Sequence, residues 1–116
     1  MNRTTLFALL FAVAWPAAAS AHAMLQHAEP SAGAAVRASP PEVRLEFSEE
    51  LEPSFSGAVI TDDKGRPAAA GAAAISGTTI TVKLNGLHAG RYRVQWHAVS
   101  TDTHRTEGAY SFTVGP

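Results

Sequence analysis

No cysteine occurs in the 116 residues, and that absence removes disulfide staples, thiolate metal sites and cysteine nucleophiles together. Positive charge is also scarce. Nine Lys and Arg stand against ten Asp and Glu, a formal net charge of −1, whereas a nucleic-acid binder calls for a clustered basic face. The one extended apolar run, Leu6 to Trp15, is too short to cross ~30 Å of hydrocarbon as a retained helix. Catalytic signatures are missing as well: there is no Ser-His-Asp order, no phosphate-binding glycine loop and no nucleophile elbow. Glu49 and Glu50 are adjacent, and would diverge on a strand rather than act as an acid and base pair.

What the chain does have begins with an export signal. Arg3 gives a short positive start, the apolar run follows, Pro16 breaks it, and Ala19-Ser20-Ala21 fits the small-x-small cleavage rule. The pattern predicts a cleaved signal over residues 1–21 and one domain over residues 22–116. Cleavage after Ala19 or Ala23 is chemically allowed too, but cutting after Ala21 makes His22 the first residue. The mature chain then has 95 residues, which suits one small domain with one apolar core. Export without disulfides is compatible with a bacterial periplasm.

Period-two alternation dominates the rest. Val43-Arg44-Leu45-Glu46-Phe47 alternates apolar with charged residues, as does a strand that covers a core on one face. Further strands are expected at Gly57 to Thr61, Thr78 to Leu84, Gly90 to Ser100 and Gly108 to Val114, the fourth with Tyr92, Val94, Trp96 and Ala98 on one face. Tyr92 and Trp96 read as core anchors, His88 and His97 as surface residues. Ser48 to Pro53, with three carboxylates and a proline, should leave the sheet. In HAMLQHAEP, residues 22–30, only Leu25 clearly asks for burial. The segment PAAAGAAAISG, residues 67–77, reads as a loop with at most a short strand. No helix, repeat or linker is convincing, so the expectation is an all-β, immunoglobulin-like sandwich of about seven strands.

Two places could carry chemistry. A histidine at a free N-terminus offers an α-amine and an imidazole to one ion, and Asp102-Thr103-His104 puts a carboxylate and a second imidazole two residues apart. In extended backbone those two side chains leave the same face. Nitrogen and oxygen donors of this kind favour Cu(II). Taken singly, Asp-x-His reads as a solvated turn and a terminal His as a frayed end; the combination is more specific. Met24 and His27, close to His22 in sequence, would be a soft donor and an extra imidazole.

The stretch HAML at the expected mature start, Phe47-Ser48-Glu49, Phe55-Ser56-Gly57, Gly90 to Trp96, Val99 to His104 and Ser111 to Val114 together resemble the CopC family of periplasmic copper-binding proteins. The resemblance covers essentially the whole mature chain, although the alanine-rich middle matches poorly. It implies a Greek-key β-sandwich that binds one Cu(II) through His22, Asp102 and His104, with Glu49 as a weak ligand or outer-shell partner. It also implies a possible CopD-like inner-membrane partner, a monomer, no catalysis, and a role in copper resistance, buffering or delivery. Some members carry a methionine-rich segment and a histidine in the middle of the chain for a separate Cu(I) site; residues 67–77 here hold neither sulfur nor imidazole. Two rival readings remain: a copper monooxygenase with an N-terminal histidine brace, which typically uses a second histidine rather than Asp-x-His, and a sandwich interaction module with no metal.

Overall fold

The computed structural model describes residues 22–116; the expected signal over residues 1–21 lies outside the described residues. Eight strands form two four-stranded sheets: β1 Leu25–Glu29, β2 Ala35–Val36, β3 Glu42–Phe47, β4 Gly57–Asp62, β5 Ala74–Ser76, β6 Thr79–Lys83, β7 Gly90–Val99 and β8 Arg105–Val114. One sheet has the order β1-β3-β6-β5, the other β2-β8-β7-β4, so the chain changes sheet repeatedly along its course. Neighbours are antiparallel except β2 with β8. This is the expected all-β sandwich, with no helix among the described residues.

Alternation builds the core. Val43, Leu45 and Phe47 turn inward from β3, Ile80 and Val82 from β6, Tyr92, Val94 and Ala98 from β7, and Phe112 and Val114 from β8. Ile60 of β4, Leu51 and Leu84 complete it. Each fully buried aliphatic or aromatic side chain of this kind stabilises the fold by about 1.5–3 kcal/mol relative to exposure. One aromatic contact joins the sheets: Phe47 meets Trp96 edge-on at 5.1 Å between ring centroids. Tyr92 stacks on Phe112 at 5.8 Å and donates its hydroxyl hydrogen to the His88 carbonyl at 2.7 Å.

Three strands, β1, β2 and β8, depart from the sequence expectation. Leu25–Glu29 forms an edge strand whose register slips between Leu25 and His27, and whose residues are all exposed or half-buried, so alternation could not mark it. β2 and β5 are two and three residues long, and β5 is the short strand of the alanine-rich stretch. Residues 48–53 do run over the surface, but Leu51 among them is buried, 3% exposed, and bridges to Ser100. β8 begins at Arg105, earlier than the expected Gly108, because its first turn of pairing is charged rather than apolar.

Gly108 is needed where it stands. A Cβ there would lie 2.6 Å from Cζ2 of Trp96, whose indole covers the glycine across the β7–β8 pair. Gly108→Ala should therefore force the indole off its seat on Phe47 and destabilise the domain by about 1–3 kcal/mol. Urea unfolding followed by tryptophan fluorescence checks this: a midpoint equal to that of the unaltered protein would disprove the tight seat.

Candidate metal centre

The site is built where two pieces of chain, far apart in sequence, meet at one end of the sandwich. The first is the segment leading into β1. Ala23 is fully buried, and its carbonyl accepts a 2.7 Å hydrogen bond from the Thr106 hydroxyl of β8. The Met24 amide donates to Ser48 Oγ at 2.8 Å, and the Ser48 amide returns a bond to the Met24 carbonyl at 2.9 Å. Ser48 Oγ also lies 3.5 Å from the His22 carbonyl. The segment is thus tied to Ser48 and to Thr106, and His22 is held half-buried beside the β7–β8 connection.

The second piece is that connection, residues 100–104. Its first residue, Ser100, is 2% exposed. Ser100 N donates to the His104 carbonyl at 3.0 Å, and the Thr103 amide donates to the Ser100 carbonyl at 2.8 Å. Thr103 has φ +76°, the sole positive φ of a non-glycine among the described residues. Non-glycine residues in this region cost free energy and persist where the surroundings impose them. The extended backbone expected for Asp102-Thr103-His104 is therefore replaced by a tight turn, because a two-strand connection this short must reverse direction. The turn, rather than a pleat, brings the two side chains together.

Together they are. Asp102 Oδ2 lies 3.0 Å from His104 Nδ1, while Asp102 Oδ1 accepts from the Ser100 hydroxyl and, at 3.3 Å, from the His104 amide. With Nδ1 facing the carboxylate, the neutral His104 ring carries its proton there and leaves Nε2 as the free lone pair. The ring centroids of His22 and His104 are 4.6 Å apart, close enough for nitrogens of both rings to reach one ion at the ~2.0–2.1 Å of a metal–imidazole bond. Two imidazoles and one carboxylate thus lie close together, although not through the extended spacing expected. A cluster of three or more His, Asp or Glu already arranged as metal ligands does not occur among the described residues.

No side-chain hydrogen bond or ion pair among the described residues joins the other candidates to these three side chains. Glu49 is exposed, follows Ser48 directly, and has no hydrogen bond or ion pair among the described residues. His27 faces Glu29 at 3.4 Å on the outer strand, and the Met24 side chain is 59% exposed. His88 is exposed, and His97 lies half-buried on the outer sheet face against Gly57. Sequence reasoning missed Ser48, Ser100 and Thr106. Each stands inside or next to a motif already singled out, but serine and threonine carry no periodic signal of their own.

Hydrogen bonds from Ser100 and then His104 hold the Asp102 carboxyl well below its ordinary value of 3.8, at about 2. The folded loop thus favours the ionised acid. That preference is fully present above pH 3.8 and is lost as the pH falls towards 2. The side-chain carboxyl resonance of Asp102 should titrate with a midpoint near 2, and Ser100→Ala should raise it towards 3.8. An unchanged midpoint in that variant would remove Ser100 from the explanation.

Comparison with known proteins agrees with the architecture. The CopC domain family matches residues 25–115. Copper resistance protein C of Pseudomonas syringae pv. tomato is 39% identical over 125 aligned positions, covering 98% of both chains. The crystal structure of CopC from Methylosinus trichosporium OB3b superposes with a TM-score of 0.75 at 36% identity, covering 82% of this chain and 95% of that one. PcoC, described as a methionine-rich copper resistance protein from Escherichia coli, gives 0.71 at 39% identity, covering 80% and 98%.

Proposed function

Since the chain belongs to the CopC family, we propose that it is an exported copper-binding protein that serves copper resistance by holding one Cu(II) per chain for buffering or delivery. The observation that carries this reading is the placement of His22 beside His104, with Asp102 at hydrogen-bond distance from the second ring.

Each group has a distinct part. Removal of residues 1–21 frees the α-amine of His22, so that amine and imidazole chelate one ion from a single residue. The amine's ordinary pKa of ~8 lets a strongly bound metal displace its proton near neutral pH. His104 adds Nε2, its ring oriented by Asp102 as outer-shell carboxylates orient ligand imidazoles. Asp102 also brings the negative charge that offsets a dication, either as ligand or through the ring it holds. Glu49, on the segment bonded to Met24, is the further carboxylate within the same end of the fold. A set of nitrogen and oxygen donors matches Cu(II), and residues 67–77 contain no thioether or imidazole of the kind that soft Cu(I) selects.

The reading places the protein in the periplasm as a monomer, with copper passing to or from a CopD-like inner-membrane protein and no catalytic turnover. No helix of the described residues is long and apolar enough to cross a membrane. An acidic donor stabilises the oxidised ion and opposes the redox cycling of a monooxygenase, so the copper-loaded protein should consume no oxygen with ascorbate.

Competitive Cu(II) titration with EPR tests the centre. Protein beginning at His22 should bind far more tightly than the same protein with one glycine added ahead of it, because the addition keeps every side chain and moves only the amine. Asp102→Ala and His104→Ala should each weaken binding by about 10–100-fold or more. Equal, weak binding by all four proteins would overturn the copper reading.

A further inference from the structure

The two histidines of the centre belong to opposite halves of the sandwich. His22 leads into β1 of one sheet, and His104 stands directly before β8 of the other. Thr106 follows His104 by two residues, and strand alternation turns it inward between exposed Arg105 and Glu107. Its partner across the β7–β8 ladder is Ala98, which is fully buried. From that inner position the Thr106 hydroxyl crosses to the other half and donates to the Ala23 carbonyl at 2.7 Å. Ala23 is fully buried too, so its carbonyl has no access to bulk water, and a buried acceptor deprived of its donor is costly.

The other supports act differently. Ser48, which bonds the Met24 amide, follows β3 and so belongs to the same half as β1. Ser100 holds Asp102 within the turn itself. A longer tie between the halves uses backbone alone, since the Thr101 amide donates to the Glu50 carbonyl at 3.2 Å and Leu51 bridges to Ser100. The Thr106 bond is the short path: it starts one residue from His22 and ends two from His104. Donors that share an ion must be held to within about 0.5 Å, and the two rings lie 4.6 Å apart between centroids. A short tie limits that separation far better than a long one.

We propose that Thr106 is a positioning residue of the copper centre: its hydroxyl fixes His22 against His104 and so assembles the site before an ion arrives. The bond joins a hydroxyl to a backbone carbonyl, neither of which is a donor to copper in the proposed centre, so it forms with or without the ion. Ordering of the segment is then complete in the folded chain and does not subtract from binding. This rests on the copper reading above and names the residue that turns a mobile chelate on His22 into one with a fixed second imidazole. A threonine kept only because a β-branched side chain suits a strand would be replaced by valine without loss, which separates the two accounts.

The test compares processed protein beginning at His22 with Thr106→Val and Thr106→Ser. Valine keeps the branched shape and removes the hydroxyl, whereas serine keeps the hydroxyl. In isotope-labelled, metal-free protein, nuclear Overhauser contacts between the rings of His22 and His104 should be present in the unaltered chain and in Thr106→Ser, and be lost in Thr106→Val. Competitive Cu(II) titration should find Thr106→Val about 10–100-fold weaker, with an altered EPR spectrum, and Thr106→Ser restored. Val114→Ala, at the far end of β8 and buried, is the stability control: it should lower the urea midpoint yet keep both the ring contact and the affinity. Unchanged ring contacts and affinity in Thr106→Val would overturn the proposal, as would equal weakening in Val114→Ala or no restoration by serine. Weak copper binding by the unaltered protein, with ring contacts that still depend on the hydroxyl, would sink the copper reading and leave the positioning by Thr106 standing.

Discussion

The burial of Ala23 is the constraint on which the proposed centre depends. A terminal histidine can chelate through amine and ring wherever it lies, but it can share an ion with a partner only if its backbone is fixed relative to that partner. Ala23 is buried against the core, and its carbonyl is bound by Thr106, two residues after His104. The same strand therefore positions both histidines: it begins directly after His104 and anchors the neighbour of His22. Ordering of residues 22–24 is offset by one buried alanine and a few hydrogen bonds, each worth about 0.5–1.5 kcal/mol.

Ser100 plays the corresponding part for the turn. Its backbone closes the reversal through Thr103 and His104, and its hydroxyl fixes the carboxylate of Asp102. Because its own backbone is bridged to Leu51, the turn inherits its position from the core rather than from contacts among its exposed members. An exposed Asp-x-His is thereby given a single geometry. The left-handed Thr103 fits this account: the backbone conformation is one that a free loop would avoid, and it is kept because both sides of the turn are pinned.

How much of this the sequence disclosed follows from which residues are buried. The strands Val43 to Phe47, Gly57 to Thr61, Thr78 to Leu84 and Gly90 to Ser100, and the latter part of β8, announce themselves because each sends alternate side chains into one core. The edge strands β1, β2 and β5 bury little on either face, so composition could not reveal them. The nearness of His22, Asp102 and His104 was readable only because resemblance supplied what spacing lacked. Neither disclosed the supports: Ser48 acts on a backbone 24 residues away and Thr106 on one 83 away, and a hydroxyl is acceptable at either place without such a partner. The expectation of a pleated Asp-x-His failed for a related reason, since spacing does not distinguish a strand from the turn that ends it.

A protein that must both hold an ion and release it faces opposed demands, and the fold divides them between rigidity and exposure. In the proposed centre, chelation by one residue and fixed second donors would supply affinity without burial, for the His104 side chain is 57% exposed and that of Asp102 36%. An incoming donor can then reach the ion before the outgoing ones have left, with no opening of the sandwich.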